Sequence, residues 1–365
     1  MKPLAIYVHI PFCKARCYYC SFVSSLYSLD RVSKYFDALL REIDLFDFSG
    51  FVVNSIYFGG GTPSVVKQEN ILTVLDLIKK KAFISAEAEI TIECNPESFS
   101  REKAMSFKKA GINRISFGLQ STDDKILKRI GRIHTYNVFL KACSIAKEYF
   151  SNISADLIIG LPGQDKRSLK TDLERVVSLG IEHISIYGLK VEEGTLLQKE
   201  GYKVDEDLTA DLYSNAVDYL AGKGFIRYEV SNFSKEDKYR SRHNFTYWNR
   251  GDYVGFGLSA HSFINNYRIE NTCSYIDYIE GETECKRLLI SPLESEAAEE
   301  TIMLALRTSD GLDIKSFNEK FNRDLLSEKS GQLKQLDKFL KVEDNRLKLK
   351  DDGFYVMNEI IVRLL

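Results

Sequence analysis

Cys13, Cys17 and Cys20 fall in the run Pro11-Phe12-Cys13-Lys14-Ala15-Arg16-Cys17-Tyr18-Tyr19-Cys20, a Cys-x3-Cys-x2-Cys spacing. Three thiolates that close together point to metal. Structural zinc takes four ligands, and no Asp, His or fourth Cys stands in the loop; His9, four residues before Cys13, is within an apolar strand-like run. An iron–sulfur cluster fits better, because three cysteines hold three irons of a cubane and leave the fourth open to an exchangeable ligand. Zinc, or a purely structural role, stays as the alternative. The other four cysteines, Cys94, Cys143, Cys273 and Cys285, are scattered and read as ordinary small buried side chains.

The cysteines need a scaffold, and the apolar periodicity supplies one. Leu4–Ile10, Ser55–Phe58, Glu89–Glu93, Arg114–Gly118, Ser154–Ile159 and His183–Tyr187 are short β-branched runs of the kind a buried parallel strand needs. Amphipathic stretches such as Ser33–Phe48, Asn70–Lys81 and Ser168–Leu179 lie between them. Six alternations of strand and helix give an α/β fold, a partial, three-quarter (β/α)6 barrel over residues 1–205. The cysteine loop then leaves the C-terminal end of the first strand, where parallel barrels place their chemistry. Gly59-Gly60-Gly61-Thr62-Pro63 follows the second strand, Glu93 and Asn95 close the third, and Gln120 follows the fourth. A lone triple glycine is more often a sharp turn, but in register with the cysteine loop it reads as backbone shaped to approach a ligand.

The pattern changes after residue 205. Residues 206–290 carry a helix over Leu208–Gly222 and an aromatic, glycine-rich stretch, Tyr247–Phe263. Residues 291–365 read as helices over Glu294–Arg307, Ile314–Asn322 and Gly331–Leu340, a strand Arg346–Lys350 and a last helix Gly353–Leu364, a mainly helical, winged-helix-like domain. That domain has 12 Lys and Arg against 15 Asp and Glu, and the whole chain has a formal charge of -2. Phosphate neutralisation dominates duplex affinity, so no nucleic-acid partner is expected, and the domain is expected to pack on the barrel or bind protein. Charged and hydrophobic fractions of 28% and 44% exclude a disordered chain. No secretory segment or eighteen-residue apolar run is present, which makes a cytoplasmic location the expectation.

The runs YVHIPFCKARCYYC, FGGGTPS, ECNPE, ISFGLQS, GRIHT and DLIIGLPGQ resemble the radical S-adenosylmethionine superfamily, and within it the oxygen-independent coproporphyrinogen oxidase-like group. The resemblance runs over nearly the whole chain. Arg242–Trp248, RHNFTYW, is similar to the His-Asn-x-x-Tyr-Trp element of that group's haem-chaperone branch. It implies a [4Fe–4S] cluster on Cys13, Cys17 and Cys20, with S-adenosylmethionine on the open iron. It also implies that Tyr7, Tyr19, Gly60, Gly61, Thr62, Glu93, Gln120, Arg132 and Asp156 surround that cofactor. Glu93 would accept from its ammonium, Arg132 would fork onto its carboxylate and Asp156 would take ribose hydroxyls. Without the resemblance, Asp156 could merely cap a strand and Arg132 could be a surface cation.

Two departures separate the chain from the decarboxylating enzyme of the group. That enzyme has a fourth cysteine two residues after the triplet, where this sequence has Phe22, and an N-terminal extension, whereas this chain begins almost at its first strand. The chaperone branch usually has an aspartate after the third cysteine, where Ser21 stands here. The expectation is therefore a chaperone that binds haem and delivers it to a haem-accepting protein. The competing reading is a coproporphyrinogen III dehydrogenase or another radical enzyme acting on a tetrapyrrole. A structural iron–sulfur protein with a regulatory winged helix ranks third. His243 and His261 both lie in or beside the aromatic stretch, with Tyr247 and Trp248 near the first. His243, within the branch-specific element, is the first expectation for the haem ligand, although a hydrogen-bonded core histidine explains it equally well. A transient membrane association and a homodimer are compatible with these residues but not written in them.

Overall fold

A computed structural model describes residues 1–281, 286–290 and 294–365. Cys285, and the expected boundary between residues 290 and 291, lie outside or at the edge of the described residues.

Six parallel strands form the centre: β1 (Lys2–Ile10), β2 (Phe51–Gly60), β3 (Phe83–Cys94), β4 (Arg114–Gln120), β5 (Ile153–Ile159) and β6 (His183–Gly188). They lie side by side in chain order, each paired in parallel with the next. All six expected strands are present, extended by a residue or more at one or both ends. The sheet grows at both edges. Beyond β6 run β8 (Asn232–Ser234) and then β7 (Ile226–Arg227), both antiparallel to their neighbours. Beyond β1 comes β9 (Tyr253–Phe256), a seventh parallel strand. It is followed by the antiparallel β10 (His261–Ile264), β11 (Tyr267–Asn271) and β12 (Lys286–Ile290), making twelve strands in all. The aromatic stretch Tyr247–Phe263 thus contains sheet that closes over β1.

Helices cover the outside. α1 (Leu29–Leu45) turns Val32, Tyr35, Phe36, Leu39 and Ile43 inward, an i, i+3, i+4, i+7 stripe. Tyr35 is fully buried, and its hydroxyl donates to the His9 carbonyl at 2.7 Å while accepting from the Leu258 N–H at 3.0 Å. One phenol therefore fastens the end of β1 to the turn after β9. Leu4, Ile6, Val8 and Ile10 of β1 are shut off from solvent, each such side chain contributing about 1.5–3 kcal/mol.

The helix Arg242–Trp248 closes the opposite end of the barrel, beside Pro3 and Leu4 of β1, Asn54 of β2 and Glu87 of β3. The buried carboxylate of Glu89 receives the N–H groups of Arg242 and His243 at 3.1 and 3.2 Å, caring for the orphan donors of that helix start.

Residues 297–364 have their own apolar core around Ile302, Leu306, Phe317, Leu325 and Leu347. A three-stranded sheet there orders Leu312–Asp313, Arg346–Leu349 and Leu340–Glu343. The expected helix Gly331–Leu340 is shorter, Ser330–Gln335, and Leu340 opens a strand. Asp344 and Asn345, both at positive φ, make the two-residue turn that folds this strand onto Arg346–Leu349. The domain docks on the barrel through a Glu229–Thr308 bridge and through Glu300, which binds Arg250 at 2.6 Å and also Arg268. No described helix is long and apolar enough to cross a membrane.

Candidate functional site

Parallel pairing puts the C-terminal ends of β1 to β6 on one side, and a cavity of about 440 Å³ lies there. The cysteine loop forms one wall. Its base is stapled where Phe12–Cys13 pairs with Ser25–Leu26, with Ser25 N–H on the Pro11 carbonyl at 2.7 Å and Tyr27 N–H on that of Cys13 at 2.9 Å. His9 reaches from β1 to the returning arm, its Nε2 donating to the Val23 carbonyl at 2.9 Å. Tyr18 and Tyr19 pack the outer arm onto Ile126, Ile130, Ile158, Leu161, Leu189 and Leu197.

The glycine turn after β2 meets this loop backbone to backbone. Gly61 N–H donates to Ile10 O at 2.9 Å and Thr62 N–H to Phe12 O at 2.8 Å. A Cβ on Gly61 would lie 2.9 Å from the Phe12 carbonyl and 3.0 Å from Cys13 Sγ. Gly60 has φ 112, and a Cβ there would strike the His9 ring at 2.6 Å.

The cavity gathers Cys13, Cys17, Cys20, Tyr19, Gly60, Gly61, Thr62, Glu93, Gln120, Arg132 and Asp156. Glu93 accepts from the Tyr57 hydroxyl at 2.8 Å. Burial, with the Asp156 charge adding, pushes its carboxyl up to about 7 against the opposing pull of Tyr57 and the Gly60 N–H. Asp156 receives Ser116 Oγ at 3.2 Å and Ser154 Oγ at 3.3 Å, and burial raises its pKa too. Gln120 has φ 72 at a break in the β4–β5 register, backbone strain of the kind that re-aims a side chain at a site. Behind it, Asp172 accepts from Thr122 N–H and Oγ1, both at 2.6 Å, and from Ser121 Oγ at 3.0 Å, pinning the turn that Gln120 leads into.

Three of the expected site residues already have partners within the chain. Arg132 is already engaged: one terminal nitrogen is 2.9 Å from Asn95 Oδ1 and also meets the Gly118 carbonyl, and the other is 3.5 Å from Cys17 Sγ. Only Nε is buried without a partner, so the two-pronged fork onto a carboxylate is not on offer in this arrangement. Tyr7 is outside this cavity; its hydroxyl bonds His9 Nδ1 at 3.0 Å and its ring stacks on Tyr57 at 6.2 Å. His243 is 1% exposed, with Nδ1 2.9 Å from Ser55 Oγ and Nε2 2.8 Å from the Tyr247 hydroxyl. It stacks beneath Tyr57 at 5.0 Å, and burial lowers its pKa to about 3. Both nitrogens have partners in this arrangement, as the core-histidine reading of His243 expects. Among the scattered cysteines, Cys94 and Cys143 are buried, but Cys273 is exposed.

Tyr57, Asn95 and Tyr187 also line the cavity and were not singled out as ligand contacts. Asn95 links Thr62 Oγ1, at 3.2 Å, to Arg132. Its place straight after a strand end was the available signal; Tyr57 and Tyr187, inside strands, offered none apart from register.

The residues fit an iron–sulfur cluster. Cys13, Cys17 and Cys20 are all free and all face the one cavity. Burial raises the pKa of Cys13 and Cys20, and a bound metal would draw such thiols to the thiolate form. Among the described residues, no three His, Cys, Asp or Glu side chains converge as a single ion would require. A cubane makes a different demand, one thiolate for each of three irons.

Residues 7–176 match the radical SAM superfamily, and residues 294–356 match the HemN C-terminal domain. The chain is 33% identical to the haem chaperone HemW of Lactococcus lactis subsp. lactis, over 100% of this chain and 98% of that protein. It is 36% identical to HemW of Bacillus subtilis over 87% of each. It is 32% identical to the mitochondrial radical S-adenosyl methionine domain-containing protein 1 of Bos taurus, over 99% of this chain and 87% of that one. The fold superposes on coproporphyrinogen III oxidase (HemN) of Escherichia coli with a TM-score of 0.87 at 21% identity, covering 100% of this chain and 90% of that one. With a cysteine loop, a glycine turn and a C-terminal domain all in the family's places, the chain belongs to the HemW family of the radical SAM superfamily.

Proposed function

We propose that this protein is a haem chaperone, binding haem and passing it to a haem-accepting protein. The observation that carries this reading is the full-length likeness to haem chaperones such as that of Lactococcus lactis. We assign Cys13, Cys17 and Cys20 to a [4Fe–4S] cluster, and the cavity beside them to S-adenosylmethionine. Tyr19, Gly60, Gly61, Thr62, Glu93, Gln120 and Asp156 would contact it. Bound and reduced, a cluster of this kind would supply one electron to the sulfonium of S-adenosylmethionine. The chain's own contribution is positional. Glu93 offers a carboxylate to an ammonium, Asp156 keeps lone pairs for hydroxyls, and Arg132 holds the Cys17 and Asn95 walls together. We place the working parts in residues 1–205, the barrel closure in 206–290 and a docking role in 291–365.

Phe22 stands where the decarboxylating enzyme would have a further cysteine, which disfavours propionate decarboxylation. The test reconstitutes the cluster anaerobically and adds reductant, S-adenosylmethionine and either haem or coproporphyrinogen III. Intact haem moving to a haem-poor acceptor supports the reading; conversion of coproporphyrinogen to protoporphyrinogen overturns it in favour of the enzyme.

A further inference from the structure

Side chains alternate along a strand, so residues two apart share a face. On β5 and β6 one face is apolar, with Ile153, Ala155, Leu157, Ile184 and Ile186 in the main core. The other face carries Ser154 and Asp156 on β5, paired in register with His183 and Ser185 on β6. Asp156 reaches the cavity, whereas Ser154 and His183 are 0% and 1% exposed and lie behind it. Buried polar side chains must find partners, and these find one another.

The direction of their hydrogen bonds is set from one end. The Ser241 N–H, which can only donate, is 3.1 Å from the Tyr228 hydroxyl. That oxygen accepts there, and its own proton is left for His183 Nε2, 2.7 Å away. With Nε2 accepting, Nδ1 bears the ring proton. The ring is neutral, because burial and the charge of Arg114 hold its pKa well below the usual imidazole range. Nδ1 donates to Ser154 Oγ at 2.7 Å. Ser154 in turn donates to Asp156 Oδ1 at 3.3 Å or to Ser185 Oγ at 3.5 Å, and Ser185 bonds Asp156 as well. Both routes end on the carboxylate. Ser241 caps the helix Arg242–Trp248, so the line runs from the end of the barrel that this helix closes to the cavity at the other.

We propose that His183 is a positioning residue for Asp156: its tautomer holds Ser154 as a donor and keeps the carboxylate an acceptor facing the cavity, which selects a ligand with a pair of ribose hydroxyls. The proposal rests on the assignment of the cavity to S-adenosylmethionine and adds what makes it selective. In the other tautomer Ser154 would donate to Nδ1 and withdraw from Asp156. Burial pushes the Asp156 carboxyl up, and the hydroxyls of Ser185, Ser116 and Ser154, with the charge of Arg114, pull against it. An ionised carboxylate can only accept, so a ligand without the hydroxyls leaves its lone pairs unmet in a site short of water.

The test measures binding of S-adenosylmethionine and of its 2′-deoxyribose analogue to the reconstituted full chain by anaerobic calorimetry. The wild type is expected to prefer the natural ribose by about tenfold or more. His183→Ala should erase that preference by weakening S-adenosylmethionine, with the analogue's affinity and the cluster's absorption unchanged. His183→Asn, whose amide can stand where Nδ1 stood and donate to Ser154, should recover most of it. Tyr228→Phe removes only the hydroxyl that sets the tautomer; it should lower the preference by an intermediate amount, and it decides the matter if His183→Ala does not fold. A preference undiminished in these variants, or a loss shared equally by both ligands, overturns this role of His183 alone. A wild type that binds both ligands alike removes the ribose role of Asp156 and this role with it. One that binds neither overturns the S-adenosylmethionine reading of the cavity.

Discussion

At the base of the barrel, the helix Arg242–Trp248 is seated by Glu89, and its histidine is locked between Ser55 and Tyr247. At the mouth, His261 uses one nitrogen and turns the other outward, Phe22 stands in solvent, and the buried carboxyls of Glu93 and Asp156 face an open chamber. Both ends are rich in histidine and tyrosine. They differ in whether the hydrogen bonds close on themselves. A closed network fixes a unique packing and has nothing left for a ligand; one with an unused lone pair is ready for one. A motif specific to a branch can therefore also fasten one element of the fold to another.

The contrast can be broken in several places. The largest effect is expected at the mouth: Cys17→Ser should lose the cluster's visible absorption altogether while the circular dichroism and the urea midpoint stay as in the unreconstituted wild type. A midpoint that collapses would mean the loop is structural. At the base, His243→Ala strands the Ser55 and Tyr247 hydroxyls and opens a hole, at a cost of about 4 kcal/mol in urea unfolding. Cluster absorption should survive it, and a lost cluster with unaltered stability would tie the base to the mouth.

Glu93 supplies a pH test of the mouth. Its carboxyl is raised from 4.5 to about 7 on folding, so below pH 4.5 both states hold the proton and no penalty exists. Between 4.5 and 7 the unfolded chain releases it first, and stability falls as pH rises, levelling off above 7 by on the order of 3 kcal/mol. Glu93→Gln should remove that share of the slope and stabilise the chain at pH 8. Glu229, raised to about 7 by burial near the docked domain, adds a similar slope that the substitution leaves in place. An unaltered pH profile in Glu93→Gln would show that water already reaches the carboxylate. The smallest effect belongs to Phe22→Ala. Removing a largely exposed ring should change stability by less than about 0.5 kcal/mol.

Much of this could be read from residues alone. Six β-branched runs became six strands, and three cysteines, a triple glycine, Glu93 and Gln120 met because parallel strands share one end. β9 escaped notice because Tyr253–Phe256 is four residues long and includes a glycine, and only its pairing with β1 makes it a strand. The helix expected up to Leu340 stopped early for a similar reason: Leu333, Leu336 and Leu340 are spaced for a helix, but pairing with Arg346–Leu349 outweighs that local preference. The role of His243 was out of reach because two bonds to Ser55 and Tyr247 are facts of tertiary packing. Likewise, nothing in the order of residues says that Arg132 is occupied by Asn95 and Gly118.

The pairing of β1 with β9 also bears on how the chain is made. Ala5 finds its partner in Tyr253, almost 250 residues later. At ~5–20 residues per second, ribosomal synthesis leaves β1 with an open edge for roughly 12–50 s. Throughout that interval the arm Ser21–Val23 of the cysteine loop lacks Tyr253 and Ser259, which share a cavity with it in the folded chain. The nascent chain thus passes through a stage in which its three thiols are present before the sheet beside them is complete, a window both for metal loading and for oxidative damage.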